Sequence, residues 1–227
     1  HGAFLVHQDT ICDARYYKCC GGRTDVFATA WEDADFPYLA SIADSDIPHP
    51  PMTSEDGWAA WLGSSPEAYC NTKDTDLLAR VLPAFDLETL HFYRWRVAYD
   101  KDELEEILRR KSGIDFGELQ HLKPLSRGPS GRIFKLQIVG TKRTVTVGKE
   151  LEIRRWLSPT HLLSSAFVAA TEHDPKGRLT RFILHGGGWG HGVGLCQIGA
   201  AVMAEKGFSS DKILAHYFPG AELRKLY

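Results

Sequence analysis

Long apolar runs are missing from this 227-residue chain. Nothing in it approaches the roughly twenty consecutive apolar residues that cross a bilayer as a helix. An excess of either charge is missing too: 27 basic side chains face 29 acidic ones, for a formal net charge of -2. That balance removes the electrostatic footprint of a dedicated nucleic-acid binder and favours a neutral or polar ligand. The opening residues, HGAFLVHQDT, lack both an initiator methionine and the layout of a signal peptide, so a processed form or a fragment of a longer chain is expected. No Cys-x-x-Cys pair occurs, which leaves redox motifs and zinc knuckles without support.

Five cysteines are present, Cys12, Cys19, Cys20, Cys70 and Cys196, an odd number that cannot all pair within one chain. A disulfide involving Cys70 is the first expectation, buried free thiols the second and a metal the third, with His7, Cys12 and Cys19 as a minor zinc set. Hydrophobic residues at 43% and charged residues at 25% are ordinary for a folded globular chain, so disorder is not the default.

The chain reads as α+β, mainly antiparallel strands and hairpins with several short helices, in a single unit over residues 1–227. AFLVHQD and TICDARYYK alternate like a hairpin that ends at the glycines of CCGGRT. Residues 45–74 are rich in proline, serine and acids and show no sustained period, so a surface excursion pinned by Trp58, Trp61 and Cys70 is expected. HFYRWRVAY reads as a strand, after which Asp102 and Glu105 form a capping box for a helix that buries Leu104, Ile107 and Leu108 and stops at Gly113. GRIFKLQIVGTKRTVTV turns back at VGTK, KELEIRRWL is a short helix, and SSAFVAATEH with RLTRFILH makes a second hairpin across DPKG. LCQIGAAVMAEKG and SSDKILAHY close the chain as helices.

The second hairpin delivers the chain into HGGGWGHGVGLCQIGA, where six glycines, two histidines and a tryptophan fall within residues 185–194. No G-x-G-x-x-G or Walker register fits through it, so it is not a phosphate loop. His185 and His191 have neither helical spacing nor an acid between them to make a metal site, with or without Cys196 or His216. Two readings stay level: the glycines let a sugar approach with Trp189 and His191 beside it, or they let two segments of the same chain cross.

Residues 186–220, GGGWGHGVGLCQIGAAVMAEKGFSSDKILAHYFPG, closely resemble the signature of the stage II sporulation protein D family, also called amidase enhancers. That signature reads approximately G-x-G-W-G-H-G-V-G-[ML]-S-Q-x-G-A-x-x-M-A and ends in IL-x-x-Y-Y-x-G. ARYYKCCGGRTDVFATAWEDADFPYLASIAD and SGRIFKL are similar to further segments of the family. The resemblance implies a bacterial cell-envelope protein, extracytoplasmic, acting on peptidoglycan glycan strands. The implied activity is that of a lytic transglycosylase cutting between N-acetylmuramic acid and N-acetylglucosamine, and the alternative is a non-catalytic module that binds glycan or stimulates a cell-wall amidase. His191 and Gln197 are implied sugar contacts, with Trp189 and Arg23 beside them and Cys20 and Gly22 shaping the neighbouring turn.

The family's glutamate-bearing helix and its H-C-Q zinc segment match nothing here, so the acid is expected upstream of His1 and no cofactor is expected in this chain, zinc belonging to the preceding segment. Asp13, Asp25, Glu32 and Glu205 read as solvated or strand-end acids. Cys20 and Cys196 stand where the family has serines, which raises the expectation of a disulfide between them if they meet; a nucleophilic Cys196 beside His191 or His216 is a minor alternative.

Overall fold

The computed structural model describes residues 2–87 and 90–225. β1 (Ala3–His7) and β2 (Thr10–Ile11) pair antiparallel across Gln8 and Asp9, both with positive φ. The hairpin expected to run on through Tyr16 stops at Ile11. β3 (Tyr16–Tyr17) instead pairs in parallel with β10 (Leu195–Cys196), from the far end of the chain, and β11 (Glu222–Lys225) closes the other edge of β1. Local alternation could not show this, because the partner lies almost two hundred residues away.

Three short helices follow, α1 (Phe27–Ala30), α2 (Glu55–Gly63) and α3 (Thr75–Val81). Ser54 caps α2 by accepting the Gly57 N–H, with Glu55 and Asp56 in its first turn, and Asp74 caps α3 through the N–H groups of Asp76 and Leu77. β4 (Arg94–Asp100) runs directly into α4 (Lys101–Ser112). The expected capping box of Asp102 and Glu105 does not form. The cap position is Asp100, without a side-chain bond, and Glu105 accepts the Leu119 N–H at 2.7 Å. Leu104, Ile107 and Leu108 face inward as the 3.6-residue period requires, and Gly113 ends the helix in the left-handed region.

β5 (Leu119–Arg127), β6 (Ile133–Gly140) and β7 (Thr144–Val147) form one antiparallel sheet, with α5 (Glu150–Trp156) against β6. β8 (Phe167–His173) and β9 (Leu179–Gly187) form the hairpin across the DPKG turn, and β4 pairs with the other edge of β9. Between these sheets and α4 and α5 lies an apolar cluster that includes Leu108, Ile133, Leu136, Ile138, Phe167, Phe182 and Leu184. α6 (Gln197–Glu205) and α7 (Ser210–Tyr217) belong to a second cluster with Tyr17, Phe27, Leu39, Leu78, Phe92, Val193, Ile198 and Met203. Helices and small, mostly antiparallel sheets make the chain α+β. Within residues 45–74, α2 packs on β8 and β9, Trp58 and Cys70 are buried, and the rings of Trp58 and Trp61 cover Gly131 and Gly22.

Candidate functional site

β9 ends at Gly187 and passes into a backbone that alternates in hand. Gly188, Gly190, Gly192 and Gly194 all have positive φ, a region closed to most side chains. The space their missing Cβ atoms leave is filled by the chain itself. A Cβ on Gly192 would sit 2.6 Å from the Arg132 guanidinium carbon, on Gly188 2.8 Å from the Cys20 carbonyl oxygen, and on Gly194 2.3 Å from the Arg15 carbonyl oxygen. Trp189 exchanges backbone hydrogen bonds with Cys19, and the Leu195 N–H donates to Arg15. Of the two readings left level by composition, the crossing of segments therefore explains the glycines.

The segment curls around Arg132, whose exposure is 0%. Its Nε donates to the Gly190 carbonyl at 2.9 Å and its terminal nitrogens to the carbonyls of Cys19 and Cys20 and to Ser130 Oγ. Ser130 Oγ donates in turn to Asp25, which also accepts from Thr29 Oγ1 and the Val26 N–H. A buried cation and a buried carboxylate are thus joined through one hydroxyl, and the remaining lone pairs have donors, as a charge pair out of water requires. Burial raises the Asp25 pKa, against the lowering effects of Arg132, Ser130 and Thr29. Asp25 is accordingly not the solvated or strand-end acid expected from sequence. Of the other acids considered, Asp13 pairs with Arg15 and Glu205 with Arg80 at the surface, and Glu32 is exposed.

His191 is mostly buried. Its Nδ1 accepts the Val193 N–H at 3.1 Å, which leaves the proton on Nε2 to be donated to the Tyr16 carbonyl, also at 3.1 Å. Burial, reinforced by the Arg132 charge, lowers its pKa to about 4, so the ring is neutral near pH 7. The ring lies 4.8 Å from that of Trp31 and 5.3 Å from that of Tyr17. Trp189 is half-buried with the Lys18 ammonium 5.0 Å from its ring centre, and Tyr16 is 64% exposed. Gln197, the first residue of α6, is half-buried and makes no side-chain hydrogen bond among the described residues. Arg23 donates to the His49 carbonyl and lies at the Ala43 bridge, its pKa lowered by burial. A groove of about 860 Å³ lined by Asp102, Glu118, His121, His173 and Thr180 involves none of these residues.

Beneath the turn the thiols meet. No disulfide is formed among the five cysteines, all of which are buried. Cys20 Sγ is 3.3 Å from Cys70 Sγ, the Cys20 N–H donates to Cys196 Sγ at 3.3 Å, and the Gly22 N–H donates back to Cys20 Sγ at 3.3 Å. Asp44 completes the group, its carboxylate accepting from the Tyr217 hydroxyl and the Cys70 N–H. These are the chain's candidate metal ligands among the described residues; His7, Cys12, His185, His191 and His216 are not among them. A nucleophilic pairing of Cys196 with His191 is not set up, since both imidazole nitrogens are bonded to backbone. Neither Arg132 nor Asp44 stood out in sequence as a site residue. SGR and the final aspartate of PYLASIAD lie inside segments similar to the family's, and that was the available signal.

With this geometry in view, the chain falls into a family. Residues 25–194, most of its length, match the family described as a domain of unknown function, DUF8618, and the chain belongs to it. The chain is also similar to the amidase enhancer of Bacillus subtilis (strain 168), at 25% identity over 239 aligned positions that cover 98% of this chain. It spans 31% of that relative's length. No helix among the described residues is long and apolar enough to cross a membrane.

Proposed function

We propose that this chain forms the glycan-contacting part of a bacterial cell-envelope protein of the amidase-enhancer type, acting outside the cytoplasm on peptidoglycan. The observation that carries the reading is the surface beside the glycine turn. The half-buried ring of Trp31 lies 4.8 Å from that of a neutral His191, which bonds to the carbonyl of the exposed Tyr16; the half-buried Trp189 stands two residues before His191, and Gln197, whose amide has no hydrogen-bond partner among the described residues, opens α6. Aromatic faces with a few polar groups are what a sugar ring stacks on.

In the whole protein the activity we assign is that of a lytic transglycosylase. Breaking the bond between N-acetylmuramic acid and N-acetylglucosamine needs one carboxylic acid, which protonates the departing oxygen and then takes the C6 hydroxyl proton as the anhydro ring closes. Asp25 and Asp44, the carboxylates packed under the turn, are fully buried and hydrogen-bonded. As the family resemblance implies, we assign the acid to a segment outside this chain, and His191 holds the turn in place rather than moving a proton. The second reading, a module that stimulates a cell-wall amidase without cutting glycan, draws on the name of the relative.

The test is binding and product analysis with glycan strands stripped of stem peptides. The chain should bind them saturably, and Trp31→Ala or Trp189→Ala should weaken binding about tenfold, the loss of one stacking contact. The longer parent protein should release fragments with 1,6-anhydro ends, read by mass spectrometry. Binding without release by that protein supports the amidase-stimulating reading, and no binding by the chain overturns both.

A further inference from the structure

Four chain segments that are far apart in sequence deliver one ligand atom each to a single point. Cys20 precedes the Gly21–Gly22 turn, Asp44 follows the Arg23–Ala43 bridge, Cys70 lies beyond α2, and Cys196 is the residue before α6. Their three sulfurs and a carboxylate oxygen all lie within 4.8 Å of one another, and all four residues are buried. A tetrahedral zinc ion with Zn–S bonds of about 2.3 Å sets its sulfurs about 3.8 Å apart, so this spacing encloses a volume of the right size.

Two further observations point to a cation. Asp44 is fully buried, and among the described residues no basic side chain forms an ion pair with it. A carboxylate in that position has no counter-charge, which is expensive in a dry interior. Backbone N–H groups also point at the sulfurs, from Gly22 to Cys20 and from Cys20 to Cys196. Donors aimed at sulfur support thiolates, and Gly22 reaches back only because its φ of +107° turns the chain there. A Cys20–Cys70 disulfide would consume two thiols and leave both Asp44 and the third sulfur as they are. A divalent cation answers all four at once.

We propose that Cys20, Asp44, Cys70 and Cys196 bind a structural zinc ion, in a closed three-thiolate, one-carboxylate site that ties the glycine turn to α6. Binding releases the thiol protons to solvent and forms four metal–ligand bonds, with no change of oxidation state. Buried ligands on every side leave no open position for a substrate water, so the role is structural rather than catalytic. The site stands independently of the glycan reading.

The chain should be purified under reducing conditions without chelator, and its metal content measured by mass spectrometry. About one zinc ion per chain is expected. Cobalt exchanged into the wild-type chain should give tetrahedral d–d bands with strong sulfur-to-cobalt charge transfer, a reading that needs no variant. Cys70→Ser, Cys196→Ser and Asp44→Asn should each lose the ion, Cys12→Ser should keep it, and Asp44→Cys should keep it with stronger charge transfer. A metal-free chain carrying a Cys20–Cys70 disulfide, an octahedral cobalt spectrum, or equal loss of the ion in Cys12→Ser would each overturn the proposal.

Discussion

Between β6, β9, α4 and α5 the interior is mostly leucine, isoleucine and phenylalanine, with Glu150 the buried charge at the start of α5, whereas the cluster around the glycine turn holds a guanidinium, two carboxylates and five cysteines. The first region is held by area removed from water and by close packing, which tolerate an exchange of one apolar side chain for another of similar volume. In the second, the Arg132 and Asp25 groups depend on named partners, and several of those partners are backbone carbonyls exposed by glycine. A core of that kind is specified by a few residues, and losing one leaves others unpaired.

The largest effect should come from Arg132→Met. Removing the guanidinium leaves Asp25 without its counter-charge and Ser130 and the carbonyls of Cys20 and Gly190 without this donor, the Cys19 carbonyl keeping the Trp189 N–H, and should reduce stability by about 3–5 kcal/mol in urea unfolding. Leu136→Ala, at an equally buried site of the other region, falls in the usual range of about 2–5 kcal/mol for a cavity. Hydrogen exchange separates the two: Arg132→Met should expose the amides of residues 188–194 selectively. If both variants loosen the same amides, the contrast between the regions is broken.

A finer test compares two glycines with similar φ. Gly192, at +85°, has the Arg132 guanidinium where its Cβ would be, while Gly177, at +78° in the DPKG turn, has open space. Gly177→Ala should cost only backbone strain, about 1 kcal/mol. Gly192→Ala adds a clash with a group that cannot move without losing its hydrogen bonds, and should cost about 3 kcal/mol. Equal costs in thermal unfolding would mean that the glycine turn is not packed on Arg132.

The smallest expected effect is pH-dependent. The folded His191 pKa of about 4 lies below the ordinary value of 6.5, so the unfolded chain takes up the proton first as the solution is acidified. Stability from the neutral ring is fully present above pH 6.5 and is lost as pH falls toward 4, by about 1–2 kcal/mol at pH 5. His191→Gln should flatten the stability profile in that window relative to the wild-type chain. A variant with an unchanged slope would show that the imidazole is not held neutral by the fold.

The sheet region was readable because its signals are local. Alternation through IFKLQIV, the VGTK and DPKG turns, and the Leu104, Ile107, Leu108 stripe each fall within a dozen residues and are decided by strand and helix periodicity. Reading failed there twice: β5, whose LQHLKPLSR carries Pro124 and pairs with irregular register, was not expected, and at the α4 cap the competing interaction was Glu105 bonding to Leu119, fourteen residues on. At the turn, local signals singled out the glycines, Trp189 and His191 and carried the family resemblance, through which Gln197 and Cys20 became expected site residues.

What composition and pattern determined by themselves was the α+β class, most of the strands and helices from β4 onward, and the exceptional character of residues 185–200. Only the tertiary structure decided what the glycines are bare for, since Arg132 and the parallel β3–β10 pairing come from elsewhere in the chain. It likewise brought together Cys20, Asp44, Cys70 and Cys196, from segments spread over residues 20–196. The physical reason is range: secondary-structure propensity and turn chemistry act over a few residues, while a buried charge or thiol is satisfied by whichever partner the fold delivers.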